Sequence, residues 1–327
     1  MDALLNEVFS ISTGKDFEAA ALKIFRYQAE HNPLYSLWIK ELGVDPEKVL
    51  RLSSIPFMPV SFFRDRKIIT GSHEAEKVFV SSGTTGMRRS RHYIAELSVY
   101  ERSLSDCFNI FYGDPAAYVI MALLPSYLEQ GESSLVYMAE RLITLSGSDH
   151  SGFFIYDYDL LKEGIERLRD ADRKILLLGV SYALLDFAEY AAVSMKGHIV
   201  METGGMKGRR REMTREELHD SLKEGFDTDS IHSEYGMTEL LSQAYSAGDG
   251  MYYSPPWMKV LIRDPHDPFS FLPHGRTGAV IIIDLANIHS CSFIETSDLG
   301  LSYPDGSFRI SGRFDNSDIR GCNLLAV

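Results

Sequence analysis

The chain has 327 residues, with 33 Lys plus Arg against 46 Asp plus Glu, so its formal net charge of −13 offers no overall positive field for nucleic acid or an anionic membrane. Its 45% hydrophobic and 24% charged content is that of an ordinary globular chain, with material for one large α/β core or two modest ones. The three cysteines, Cys107, Cys291 and Cys322, are too few and too scattered for a disulfide framework or a zinc site, which fits a reducing cytoplasm.

Residues 1–12 include Asp2 and Glu7 and lack a basic stretch followed by an apolar one, so no secretion signal is expected. The most apolar long stretch, 175–195, is broken by Asp186 and Glu189 and falls short of a membrane span. Residues 17–31 place Phe17, Ala20, Ala21, Ile24, Phe25 and Ala29 at helical spacing, and Pro33 closes that helix. After a Pro-punctuated segment at 55–60, strand-like runs at 78–80, 118–124, 153–156, 175–178 and 199–201 alternate with helical patterns at 97–111, 133–145, 158–169 and 182–195. Buried, non-alternating strands separated by helices predict an α/β fold, with a mostly parallel sheet flanked by helices. Thr214 and Glu217 have the capping-box spacing, and Leu218 and Leu222 carry a helix toward Gly225, ahead of a strand at 231–235. From 252 onward, short runs at 259–262, 279–283, 292–295 and 308–310, separated by Gly, Pro and Asp turns, predict a smaller β-rich subdomain. The expected division is an α/β part over about 1–250, a β-rich part over about 251–311 and a tail over 312–327.

Several stretches carry chemistry. Ser81-Ser82-Gly83-Thr84-Thr85-Gly86-Met87-Arg88-Arg89-Ser90-Arg91 follows a strand-like run and combines close-approach glycines, hydroxyl donors and forked cations, the components of a phosphate cradle. A flexible turn is the plainer reading, and the Walker spacing is absent. Glu202-Thr203-Gly204-Gly205-Met206-Lys207 would let backbone pack against a base or an acyl group, or make a tight turn. The cations from Lys207 to Arg211 read as solvated surface. In His232-Ser233-Glu234-Tyr235-Gly236-Met237-Thr238-Glu239, the Tyr235 ring can stack on adenine or join the core, while Glu239 can hold Mg²⁺ near phosphates. In Glu295-Thr296-Ser297-Asp298-Leu299-Gly300, Asp298 can accept from ribose hydroxyls, and in Gly312-Arg313-Phe314-Asp315, Arg313 can donate to ribose or phosphate. A turn residue and a surface ion pair are the plainer readings of those two. Cys107 sits with Leu104, Phe108 and Phe111 as a buried hydrophobe, Cys291 beside His289 lacks an orienting third group, and Gly-x-Ser-x-Gly is absent.

In this order, the Ser/Thr/Gly loop, Tyr-Gly-x-Thr-Glu, the stretch resembling Thr-Gly-Asp-Leu, and Gly-Arg-x-Asp resemble the adenylate-forming superfamily of acyl-CoA ligases, luciferases and acyl-protein synthetases. Over roughly residues 55–327 the chain is similar in particular to the acyl-protein synthetases of bacterial luminescence, which end soon after Gly-Arg-x-Asp. The resemblance implies an adenylate-forming N-terminal-domain-like fold without the usual C-terminal domain. It implies ATP bound by Ser81, Ser82, Gly83, Thr84, Thr85, Gly86, Gly204, Gly205, Tyr235, Gly236, Thr238, Asp298 and Arg313, and Mg²⁺ held by Glu239. Arg89 stands where the family's loop has lysine, and Arg88 where it has proline, so the charge survives in a different geometry. A further implication is a carboxylic acid, a fatty acid in the nearest family, activated as acyl-AMP and transferred to a thiol. Gly321-Cys322-Asn323-Leu324-Leu325 resembles the tail around the cysteine that the family acylates, which makes Cys322 the nucleophile and an acyl-reductase or acyl carrier the partner; an inert apolar tail is the alternative. The lysine that the superfamily's C-terminal domain supplies must be replaced by another group or by a partner. An acyl- or aryl-CoA ligase, and a nucleotide-binding subunit without catalysis, are the other functions that these residues allow.

Overall fold

The amino-terminal helices are fixed by their caps. The computed structural model describes residues 2–82, 88–125, 131–204, 210–211, 213–267 and 269–313. After α1 (Asp2–Phe9), helix α2 (Gly14–His31) begins with a capping box, in which the Thr13 hydroxyl accepts the Asp16 N–H at 3.2 Å and Asp16 accepts the Thr13 N–H at 2.9 Å. Asn32 then ends α2 and starts α3 (Pro33–Glu41), its side-chain oxygen accepting the N–H groups of Leu34 and Tyr35. Pro33 therefore closes one helix and opens another, at a position where its missing N–H costs nothing. A short strand, β1 (Met58–Pro59), and one helical turn, α4 (Phe62–Asp65), follow.

Strands β2 (Lys77–Val80) and β3 (Arg91–Ile94) pair as a two-stranded ribbon. Beyond it come α5 (Leu97–Tyr112), β4 (Tyr118–Leu123), α6 (Ser134–Ser146), β5 (Gly152–Phe153), α7 (Tyr158–Leu168), β6 (Lys174–Val180), α8 (Ser181–Tyr190), β7 (Ile199–Thr203), α9 (Arg215–Phe226), β8 (His232–Tyr235) and β9 (Ala244–Ser246). The six-stranded sheet has the order β5-β4-β6-β7-β8-β9, parallel except for β9, which runs antiparallel to β8. Every residue of β4 is buried, so both faces of that strand are covered, and this is why the strands read as continuous apolar runs. Two expected elements are shorter than their patterns: α8 stops at Tyr190, and the run at 153–156 contributes only the end of β5. Ala191 leaves α8 with extended dihedrals, and the Met195 N–H bonds the Phe226 carbonyl, so tertiary pairing overrides the helical pattern there.

The remaining strands are β10 (Met258–Arg263), β11 (Gly278–Asp284), β12 (Phe293–Ser302) and β13 (Phe308–Arg313). They form a mainly antiparallel sheet of order β1-β12-β11-β10, with β13 on the other part of β12. Only β1 runs parallel there, Met58 opposite Ile294 and Pro59 opposite Glu295.

Contacts divide the chain into one unit of residues 1–77, 92–96 and 253–327 and a second of 78–91 and 97–252. One boundary falls between Tyr252 and Tyr253, and the amino-terminal 77 residues group with the late strands. Polar residues inside the apolar stripe of α2 explain this. Gln28 Nε2 donates to the carbonyls of Asn287 and Ile288, both at 3.0 Å, and its Oε1 accepts the Ser292 N–H at 3.0 Å. Asn32 Nδ2 donates to the Ser290 carbonyl at 2.8 Å, and Phe25 and Tyr35 both pack their rings on Phe293. Each such buried hydrogen bond contributes roughly 1 kcal/mol net, and more is lost when one partner is removed. Among the described residues, no helix is long and apolar enough to cross a membrane.

Candidate active site

In the second unit, the chemistry-bearing turns leave the carboxyl ends of neighbouring parallel strands. Thr203, the last residue of β7, is in register with Glu234 of β8, so Gly204 and the Tyr235-Gly236 turn emerge side by side at one edge of the sheet. Ligands of open α/β sheets bind outside such carboxyl ends. Gly204 has φ of +68°, and the backbone at that turn takes the left-handed conformation a glycine permits.

Beneath these turns lies a polar network that the sequence did not announce. Arg215, the first residue of α9, donates from Nη1 to Glu202 Oε1 at 3.1 Å, to Ser233 Oγ at 3.2 Å and to the Tyr252 phenol oxygen at 2.5 Å. His219, one turn further along α9, places Nε2 3.3 Å from Ser233 Oγ and 3.6 Å from Glu202 Oε1. The Thr214/Glu217 capping box expected from the sequence is present and fixes the helix end from which Arg215 reaches. Tyr252 in turn supports Tyr235: their ring centroids are 5.8 Å apart with planes at 62°. The Tyr235 ring is half-buried, and Thr238 and the buried Glu239 follow it in the turn.

Glu234 is buried as well. It accepts the Thr203 hydroxyl and lies against Gly236, where an added Cβ would overlap its Oε1. Burial pushes its carboxyl up to about 7; the Thr203 hydrogen bond pulls the other way, and the neighbouring Glu202 raises it further. Glu234 and Glu202 both stood inside the stretches singled out from the sequence but carried no expected role. Their signal was an acidic residue inside a strand that is otherwise buried, which calls for a partner.

The Ser81 loop is anchored at both ends. Phe79 of β2 packs its ring on Tyr100 of α5 and Tyr137 of α6, which carries the chain to Ser81. There the Ser81 N–H donates to the Ser90 carbonyl at 3.0 Å, and Ser81 Oγ accepts the Ser90 N–H at 2.9 Å. Ser82, Arg88 and Arg89 are exposed. Gly83, Thr84, Thr85, Gly86 and Gly205 lie outside the described residues, as does Cys322.

In the first unit, Asp298 of β12 and Arg313 of β13 are register partners, and Arg313 Nε donates to Asp298 Oδ1 at 3.2 Å. Asp298 is buried, while the Arg313 side chain is 79% exposed. The two residues expected at a ribose are thus adjacent. Cys291 is fully buried, its thiol pushed up to about 12 by that burial, so it makes no nucleophile with His289. Cys107 is also buried and donates to the Gln243 carbonyl at 3.2 Å, the structural role its helical spacing implied.

The chain shares its fold with a solved CoA ligase. No family model matches the chain. It is similar to a long-chain-fatty-acid–luciferin-component ligase of Vibrio harveyi, 23% identical over an alignment of 325 positions, which covers 92% of this chain and 84% of the relative. Among solved structures, an open conformation of a 2-hydroxyisobutyryl-CoA ligase in complex with 2-HIB-AMP and CoA matches 94% of this chain and 72% of its own, with TM-score 0.66 at 15% identity. ATP-bound MatB from Rhodopseudomonas palustris matches 72% of this chain and 47% of its own, with TM-score 0.54 at 17% identity.

Proposed function

We propose that this chain uses ATP to activate a fatty acid as acyl-AMP and then passes the acyl group to the thiol of Cys322, from which an acyl-reductase or acyl-carrier partner receives it in a reducing cytoplasm. The observation that carries this reading is the edge where Gly204 and the Tyr235-Gly236-Met237-Thr238-Glu239 turn leave adjacent parallel strands. Its chemistry agrees with the name of the Vibrio harveyi relative, a ligase of a long-chain fatty acid and a luciferin component.

In this reading Tyr235 stacks on the adenine, braced by Tyr252, and Asp298 accepts from the ribose hydroxyls while Arg313 donates. Ser81, Ser82, Gly83, Thr84, Thr85 and Gly86 wrap the phosphates with main-chain N–H and hydroxyl donors, and Arg89 supplies charge where the related loops have lysine. Thr238, Gly236, Gly204 and Gly205 leave room for the nucleotide at the strand ends. Glu239, directly after Thr238 in the chain, is a buried carboxylate, and oxygen donors of this kind suit Mg²⁺. Mg²⁺ held there would neutralise charge on the pyrophosphate. A carboxylate oxygen of the acid attacks the α-phosphorus, the bond to the bridging oxygen breaks and pyrophosphate leaves. The Cys322 thiolate then attacks the acyl carbon of the mixed anhydride, the carbon–oxygen bond to AMP breaks, and a thioester remains.

A second reading, transfer to coenzyme A, is supported by the fold likeness to a ligase whose structure holds CoA. One assay separates the two: pyrophosphate release from ATP and Mg²⁺ across fatty and aryl acids, with and without CoA, using Glu239→Gln as control. Release that depends on a fatty acid, needs no CoA and disappears in the control is the expected result. Turnover only with CoA supports the second reading, whereas ATP binding without release for every acid marks a binding subunit and overturns both.

A further inference from the structure

The His289 imidazole is 6% exposed, and neither ring nitrogen has a hydrogen-bond partner among the described residues. Neutral imidazole carries one N–H donor and one lone pair, and buried polar atoms of this kind are nearly always answered by a partner. The groups around it are suited to a cation. Nε2 of His289 lies 3.3 Å from Glu96 Oε1, and the His73 ring is edge-on with its centroid 4.6 Å away. One ligand atom from each of His73, Glu96 and His289 lies within 4.8 Å of the other two. A tetrahedral ion with bonds of about 2.1 Å spaces its ligand atoms by about 3.4 Å. The Glu96–His289 edge therefore already has the required length, and a modest turn of His73 completes the face.

We infer that His73, Glu96 and His289 form a site for one divalent transition-metal ion, zinc being the best match, with water as the remaining ligand. Two imidazoles and a carboxylate are the donor types of zinc and its neighbours, whereas Mg²⁺ and Ca²⁺ require oxygen throughout. The site is therefore chemically distinct from the carboxylate at Glu239. The backbone already holds the pieces in place: the Thr70 N–H donates to the His289 carbonyl at 2.8 Å, and the Gly71 N–H to that of His31 at 2.8 Å. Gly71 has φ of +82°, and an added Cβ would come within 3.1 Å of the His73 ring, so the turn is shaped around that imidazole. His73 and Glu96 are half-buried, which leaves a route for the ion and for its water. The ligands come from the segment before β2, the turn after β3 and the turn that follows β11, so a bound ion acts as a cross-link between segments far apart in sequence.

The test uses the untagged full-length chain, stripped with chelator and titrated with Co²⁺ and Zn²⁺. Expected are one equivalent of Co²⁺ with the visible bands of a tetrahedral site, its displacement by Zn²⁺ but not by Mg²⁺, and a rise in Tm of a few degrees with saturating Zn²⁺. His73→Ala and the near-isosteric Glu96→Gln should each weaken binding at least tenfold, because each removes one of three protein ligands. No saturable binding to the wild type, or binding unchanged in both variants, overturns the assignment. Because the readout is metal binding and not adenylation, this outcome is independent of the acyl-transfer reading.

Discussion

Thr203 and Glu234 face each other across the β7–β8 pair, the threonine hydroxyl donating to the buried carboxylate. With that carboxyl raised from 4.5 to about 7, chiefly by burial, the folded state holds its proton more tightly than the unfolded chain does. The stability this protonation contributes is complete below the unfolded value and is lost as pH rises through about 7. At 1.36 kcal/mol per unit, the loss is on the order of 2 to 3 kcal/mol between pH 5 and pH 8. Glu234→Gln, which cannot ionise, should therefore gain on the wild type by that amount over the same interval in urea unfolding curves. A constant offset between the two proteins would mean that the carboxyl stays ionised throughout.

Gly236 is the neighbour that makes room for this carboxyl. Gly236→Ala places a methyl group against Glu234 Oε1, and such overpacking costs roughly 1–3 kcal/mol. The variant should melt earlier and raise KM for ATP, since Tyr235 shares the displaced turn. Pairing it with Glu234→Ala should recover part of both losses, a non-additivity that a double-mutant cycle measures.

Asp298 and Arg313 are adjacent but not equivalent. The aspartate is buried and the arginine side chain 79% exposed, so their ion pair adds little to stability. If Asp298 accepts from the ribose, Asp298→Ala removes hydrogen bonds to a charged acceptor, each contributing about 1.5–3 kcal/mol, and KM for ATP should rise roughly 10- to 100-fold. Arg313→Ala should change it by only a few fold. Equal effects from both would shift the nucleotide-binding role toward the arginine.

Much of this was legible in the sequence. The α/β alternation, the capping box at Thr214 and the turns after β7 and β8 follow from local pattern, because continuous apolar runs, cap residues and glycines act over a few positions. The affiliation of residues 1–77 did not, because it depends on Gln28 and Asn32 meeting residues 287–292, a pairing that helical periodicity does not encode. Strand β9 was missed for a related reason: Ala244–Ser246 is a three-residue edge strand with no alternation to detect. The roles of Glu202, Glu234 and Arg215 were hidden because charged side chains at those positions are informative only once their burial is known.

In the proposed acyl transfer Cys322 is the acceptor, and the other two thiols are poor competitors for that role. Cys107 and Cys291 are both fully buried, and burial pushes the Cys291 thiol up to about 12, so Cys291 presents no thiolate at neutral pH and Cys107 is shielded from solvent. Radiolabelled fatty acid with ATP should mark the wild-type chain through a hydroxylamine-sensitive thioester. Cys322→Ala should lose that label while still releasing pyrophosphate. Unchanged labelling would remove Cys322 from the mechanism.

Arg215 joins the ends of β7 and β8 to Tyr252, and through that ring it bears on Tyr235. Its partner Glu202 has a side chain only 6% exposed, and among the described residues Arg215 is the full cation bonded to it. Removing the guanidinium in Arg215→Met leaves a buried carboxylate answered, among the described residues, by Ser181 and by His219, which lies 3.6 Å away, and breaking such pairs costs about 3–5 kcal/mol. Arg215→Lys keeps the charge and three donors, but its shorter stem and tetrahedral head do not reproduce the position of Nη1, so it should recover only part of the stability. The double variant Arg215→Met/Glu202→Gln removes the orphaned charge and should fold nearly as well as the wild type. If that double variant still binds ATP poorly, the loss lies in the placement of Tyr252 and Tyr235 rather than in stability, and the network is then a positioning device for the base-stacking ring. Normal binding would confine Arg215 to a structural role.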